Sequence, residues 1–319
     1  MRVILFILFV FIVKSAFSQY PPAAGLIGST AIYKDSSVFV NWAKSCIVKR
    51  GLVDISFSRD SLTTGGIELD VIGIADNFTV SLGDSGEAVV SFYPAITNGN
   101  GSDFAVFENS FDGKFLELAF VEVSSDSIHW YRFDAVSLTP TDIQITTFGL
   151  LDPTKINNLA GKYSALYGTP FDLQELYGKP YLNIDSISFV KIIDVVGSIN
   201  NSYISFDSQG NKINDPFPTP FYTSGFDLDA IGVIHQRTQS VNELTLENII
   251  VSPNPFVDYI SSDIKGCGSY QLVDITGKII FTDEFCDKIL INTNFIEKGI
   301  YLLKVNANSK SGFAKIAKF

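Results

Sequence analysis

Three groups of oxygen-bearing side chains could hold a hard cation. "NGNGSDFAVFEN" carries Asn98, Asn100, Asp103, Glu108 and Asn109 around the start of an apolar run. "DSQGNKIND" carries Asp207, Asn211 and Asp215, with Gly210 placed for a sharp turn. "GFDLDAIGVI" carries Asp227 and Asp229, two apart in a strand-like stretch. Calcium takes about six to eight oxygens from carboxylates, amides and carbonyls, often on loops. The expected calcium ligands are Asp227 first, then Asp103, Glu108, Asp207 and Asp229. Strand alternation places Asp227 and Asp229 on one face. Two carboxylates buried there without partners are costly, so something must compensate them or they lie in solvent. The plainer account makes all of these residues turn and capping groups for nearby backbone N–H groups.

A second set of residues could bind rather than react. Phe217, Phe221 and Tyr222 stand among prolines in "DPFPTPFYTSG", and Tyr163 and Tyr167 stand in "KYSALYGTPF". Stiff aromatic loops lose little entropy on binding, and ring faces stack on sugars. These five residues are the candidate ligand contacts, with a polysaccharide or cell-surface glycan as the expected partner. Core packing is the competing role for each.

Other chemistries find little support. "GDSGE" (residues 83–87) resembles the nucleophile motif of chymotrypsin-like proteases. Both histidines, His129 and His235, follow Ser85, the reverse of that family's order, and the run continues as a strand. Neither histidine has zinc spacing, and no CxxC, HExxH or phosphate-cradling glycine loop occurs. A polysaccharide-active hydrolase or lyase using paired carboxylates remains the enzymatic alternative. A structural or adhesive surface role is the third reading.

The elements that must position these residues read as strands. "EAVVSFYPAI", "DFAVFENSF", "FLELAFVEVSS", "IHWYRFDAVSL", "SISFVKIIDVV" and "FDLDAIGVIH" alternate with Gly, Asn, Asp and Ser clusters. Of all residues, 13% are aromatic and only 18% charged, which suits pleated, packed sheets. The expected fold is all-β: a jelly-roll-like sandwich over residues 19–234, a linker over 235–247, and a small Ig-like sandwich over 248–319. "AFVEVSSDSIHWYRFDAV" reads as one hairpin turning at residues 124–127. Residues 36–48 and 169–176 read as short helices, and residues 206–225 as a long irregular loop.

Charge divides the chain. Residues 19–249 hold 13 basic and 27 acidic side chains, a net of −14, and residues 250–319 hold 8 and 7, a net of +1. An acidic body argues against nucleic acid as a partner. The start, "MRVILFILFVFIVKSAFSQ", has the charged head, short apolar core and A-x-S exit of a secretory signal peptide, with cleavage expected after Ser18. No later segment is long and apolar enough for a membrane helix. Cys267 and Cys286 share the small C-terminal region and are candidates to pair in an oxidising compartment. Cys46 reads as a packed structural thiol.

"SPNPF", "YQLVDITGKII", "GIYLLKV" and the basic end "AKIAKF" occur in that order. This run resembles the C-terminal sorting domain of type IX secretion cargo in Bacteroidetes. The resemblance implies passage through the periplasm and the outer-membrane translocon, removal of this domain, and a product released or attached to the cell surface. "DFAVFENSF", "LELAFVEVSSD", "LAGKYSALYGTPFDL" and "GFDLDAIGVI" resemble a family of bacterial cell-surface proteins without an established activity. That second resemblance implies a location and no chemistry. The D-L-D-A run also resembles the last strand of calcium-containing carbohydrate-binding jelly rolls.

Overall fold

The computed structural model describes residues 20–57, 61–237, 249–307 and 310–319. The expected signal peptide, residues 1–18, and most of the expected linker, residues 235–247, lie outside them. The chain divides into two compact units, Met1–Thr238 and Gln239–Phe319.

In chain order the first unit contains β1 (Ile32–Tyr33), β2 (Asn41–Trp42), β3 (Ser45–Lys49), β4 (Val80–Ser81), β5 (Glu87–Ile96), β6 (Phe104–Glu108) and β7 (Ala119–Ser124). It continues with β8 (Tyr131–Arg132), β9 (Val136–Ser137), β10 (Ile156–Asn157), β11 (Tyr167–Phe171), β12 (Ile187–Asp194) and β13 (Asp227–Val233). One antiparallel sheet runs β1-β11-β6-β13-β2, with β4 also paired to β13, and a second runs β3-β5-β12-β7-β8. A single core joins them. Phe104, Val106, Leu228 and Ile231 of the first sheet meet Val90, Val121, Val190 and Ile192 of the second. The unit is therefore a β-sandwich, held by apolar residues on the inward side of each pleat.

Alternation explains both faces of the two main strands of the first sheet. Phe104 and Val106 enter the central core, while Ala105 and Phe107 face outward into a smaller cluster with Ala75 and Ala230. Phe39 and Trp42 cover that outer cluster. The hairpin expected over residues 119–136 is present, with Glu122 opposite Arg132.

Two helix expectations resolve differently. Residues 36–48 form no helix; they supply β2 and β3. Ser45 to Lys49 alternates exposed and half-buried positions along the edge of β5, a period of two that the β-branched Ile47 and Val48 favour. Residues 173–176 do form one short 3-10 turn, started by the Asp172 carboxylate accepting from Gln174 N.

The second unit is a four-stranded antiparallel sheet of order β15-β14-β16-β17, from β14 (Tyr259–Asp274), β15 (Ile279–Asn292), β16 (Gly299–Ala307) and β17 (Lys310–Lys318). Its own core includes Phe256, Ile260, Leu272, Ile289, Leu303 and Ile316. Cys267 and Cys286 face each other across β14 and β15 and form a disulfide. Asn254, between the two prolines of "SPNPF", accepts from Ala317 N and donates to Lys315 O, which ties the entry of this unit to its last strand.

Candidate functional site

The five expected calcium ligands do not meet at one place. Asp103 opens β6 and Glu108 closes it, so they lie at opposite ends of the sandwich. Asp103 is fully buried and its carboxylate is engaged. Oδ1 accepts from Gly99 N at 2.7 Å and meets His235 Nδ1 at 2.7 Å, and Oδ2 accepts from Leu173 N at 2.7 Å. It clasps the entry of β6 to the 3-10 turn and to the exit of β13. Asp207 likewise closes its own loop, accepting from the backbone N–H groups of Ser137, Gln209 and Asn211 and from the Asn211 side chain.

Asp227 and Asp229 flank the core residue Leu228, as alternation expects, but their carboxylates take different partners. The pairing of β13 with β6 slips between Leu228 and Ala230, which marks a bulge at Asp229. Leu228 consequently enters the central core and Ala230 the outer cluster. Asp229 turns to the backbone N–H groups of Asp76 and Asn77, at 3.1 and 3.2 Å. Burial nonetheless pushes its carboxyl up to about 6.

At the other end of the sandwich, the remaining two candidates join three acids that the sequence reading did not rank. Leu228 pairs with Glu108, which brings Asp227 and Glu108 to the same sheet end. In the second sheet, Asp194 closes β12 opposite Ala119, and Glu117 lies two residues before Ala119. Asp194 ties the sheets together, accepting from Phe226 N at 2.7 Å and Ser85 N at 3.0 Å. Asp215, in the loop before β13, accepts from Leu118 N at 2.9 Å. Glu108 is 2% exposed, Asp215 3% and Asp227 8%, and in each one carboxylate oxygen has no hydrogen-bond partner: Glu108 Oε2, Asp215 Oδ1 and Asp227 Oδ1.

The electrostatics follow from this crowding. Desolvation raises Glu108 well above the usual carboxylate range, and the nearby Asp227 raises it further. Desolvation likewise raises Glu117, with Asp227, Glu108, Asp215 and Asp194 adding to it. Asp194 and Asp215 are raised by burial, and Asp227 is pushed up to about 6 by the same cause. Arg50 draws Asp227 partly back down, but the Arg50 guanidinium itself donates to the carbonyls of Gly65, Ser81 and Gly66. Among the described residues, no three His, Cys, Asp or Glu side chains already surround one point as a finished metal site.

Beside this end lies a row of aromatic rings. Phe111 stacks on Phe115 at 5.6 Å, Phe115 reaches Phe148 at 6.2 Å, and Phe148 reaches Phe221 at 5.9 Å. Phe111 is 88% exposed, Phe148 69% and Phe221 47%, and Tyr222 next to Phe221 is exposed as well. The loop carrying Phe111 and Phe115 runs from Glu108 to Glu117, and the Asp112 carboxylate pins it through Lys114 N and Phe115 N. Of the expected aromatic contacts, Phe221 and Tyr222 belong to this surface. Tyr163 is a core residue whose hydroxyl bonds Thr30 Oγ1 at 2.8 Å, and Phe217 is also buried, so neither offers a ring face. Tyr167 packs on Tyr33.

Glu117, Asp194 and the row had a signal in the sequence. "LELAF" and "KIIDVV" each embed an acid in an apolar run, and "FDGKF" and "TTFGLL" set phenylalanines beside turn residues. The protease-like Ser85 sits in a turn with φ 60°, ahead of β5, and among the described residues no histidine bonds to it. Burial pushes the Cys46 thiol up to about 12, which leaves it inert.

Residues 251–318 match the secretion system C-terminal sorting domain. The C-terminal unit is thus a type IX sorting domain, and the protein is exported by that system to the cell surface or beyond. No helix among the described residues is long and apolar enough to cross a membrane. No curated protein matches the chain by sequence. Solved structures with some likeness include a Ruminococcus gnavus β-glucuronidase in complex with D-glucaro-d-lactam, at 11% identity, 90% coverage of this chain, 47% of that chain and a TM-score of 0.19. Another structure of Ruminococcus gnavus β-glucuronidase shares 10% identity, covering 94% of this chain and 45% of that one, with a TM-score of 0.22. The BSP domain of a biofilm associated protein shares 10% identity over 89% of this chain and 53% of that one, with a TM-score of 0.19. The chain spans about half the length of these structures, and likeness at this level carries no argument about function.

Proposed function

We propose that the exported sandwich is a non-catalytic binding protein that takes carbohydrate on the Phe111–Phe115–Phe148–Phe221 row. The observation that carries this reading is the row itself. Four rings in consecutive contact, each inclined 30–34° to the next and three of them exposed, form an apolar ledge on an otherwise acidic unit. A surface that exposes adjoining large apolar groups is usually a contact surface. Sugar rings present C–H faces that stack on aromatic faces, with hydroxyls left for the polar surroundings. The destination of the protein, at or outside the cell surface, is where polysaccharide is met. The enzymatic alternative has less support, because hydrolysis by paired carboxylates needs both acids on an open cleft, and Glu108, Asp194 and Asp215 are buried.

The test is affinity electrophoresis of the purified protein against a panel of soluble polysaccharides, with Phe148→Ala and Phe111→Ala beside the parent. Removing one stacking ring should weaken binding by roughly tenfold, since a good aromatic contact contributes about 1.4 kcal/mol. Retardation by none of the glycans, or retardation unchanged in both variants, would sink the proposal.

A further inference from the structure

We propose that Glu108, Glu117, Asp194, Asp215 and Asp227 form a divalent-cation site, suited to calcium, at this end of the sandwich. The five acids come from separate parts of the chain: the end of β6, the approach to β7, the end of β12, the long loop after it, and the start of β13. The fold, and not local turn chemistry, therefore assembles them. Glu108, Asp215 and Asp227 each keep an oxygen free of partners, whereas both oxygens of Asp103, Asp207 and Asp194 accept from N–H donors.

Three of the acids leave an oxygen unpartnered while nearly or fully out of solvent. A buried carboxylate oxygen without a partner costs about 1–3 kcal/mol or more. Three such oxygens, at an end of the sandwich where Asp227 stands close enough to raise Glu108, Glu117 and Asp194, call for a compensating positive charge. Among the described residues no lysine, arginine or histidine forms an ion pair with any of the five. An all-oxygen donor set with no imidazole or thiolate selects a hard cation, and calcium tolerates irregular, flexible coordination better than magnesium. The acids do not already surround one point, so binding must draw the side chains together. Glu117 is half-buried, whereas the other four acids are buried.

The site is independent of the ligand read on the phenylalanine row, and it has its own readout. The purified protein is stripped with chelator and titrated with calcium chloride at pH 7.5 by calorimetry, with thermal melts alongside. One calcium per chain is expected. The melting temperature should rise by roughly 5–10 °C at a concentration about 100-fold above Kd. Glu108→Gln should weaken binding by at least about tenfold, yet melt no lower than the parent without calcium, because it removes a buried charge. Asp227→Asn is the second variant, with the same expectation, and Glu122→Gln on the outer sheet face should leave affinity unchanged. Absence of both heat and a melting shift up to ~10 mM calcium, about tenfold above the weakest extracellular sites, overturns the proposal. So does binding that survives in Glu108→Gln and Asp227→Asn alike.

Discussion

Lys162 shows how one residue can make stability depend on pH. Its side chain is 3% exposed, its ammonium donates to Ile156 O at 2.8 Å, and it lies over the Tyr163 and Tyr20 rings. Burial lowers its pKa to about 8, because the charged form loses water without gaining a carboxylate. The folded state therefore holds this proton less tightly than the unfolded state. Between about pH 8 and pH 10.5 the unfolded chain keeps a proton that the folded chain has released, so this group makes stability rise with pH across that window. Below pH 8 both forms are protonated and the full penalty stands, on the order of 2–3 kcal/mol. Lys162→Met keeps the apolar stem over the rings and removes the charge. It should raise stability at pH 7 by roughly 1–3 kcal/mol and flatten the rise above pH 8. Urea denaturation at pH 7 and pH 10 measures both. An unchanged pH slope in the variant would assign the window to other groups.

At the scale of elements, alternation was legible and its interruptions were not. The apolar runs around Val90, Val106, Val121, Ile192 and Ile231 identify the strands, and the core confirms them. The slip between Leu228 and Ala230 left no mark in "FDLDAIGVI", because a bulge depends on how β6 pairs with β13 and not on either sequence alone. The parting of Leu228, in the central core, from Ala230, in the outer cluster, was invisible for that reason. Asp103 and Glu108 looked like neighbours in one cluster, yet an extended strand carries them to opposite ends. The grouping of Glu108 with Glu117, Asp194 and Asp215 is a tertiary fact, created when two sheets pack face to face. Asp103 is the clearest test of element-level anchoring. Its carboxylate holds three elements by Gly99 N, Leu173 N and His235. Asp103→Ala leaves the buried Leu173 N–H and the half-buried Gly99 N–H without acceptors, so it should cost about 2–5 kcal/mol. Chemical denaturation reads the loss, and hydrogen exchange should localise it to residues 97–103, 172–176 and 234–237. A loss under about 1 kcal/mol would mean that solvent replaces the carboxylate.

At the scale of the whole molecule, two units of different charge and size share one chain. The acidic sandwich has a large core between two sheets, whereas the sorting unit is a single sheet of four strands with fewer than 90 residues. A unit of that size buries proportionally less apolar surface and needs help from a crosslink. The Cys267–Cys286 disulfide joins β14 to β15 beside the break in their register between Asp263 and Cys267, where ladder hydrogen bonding is interrupted. It spans a sequence separation of 19, and closing a loop of that length in the unfolded chain is worth about 3 kcal/mol. Replacing both cysteines by serine should therefore act on one unit alone. Scanning calorimetry of the full chain should then show the sorting unit melting roughly 10 °C or more below its parent value, since a small domain loses several degrees for each kcal/mol. The sandwich transition should stay where it was, because its core contains neither cysteine. If both transitions fall together, the units unfold as one cooperative body and the crosslink stabilises the cargo as well as its address.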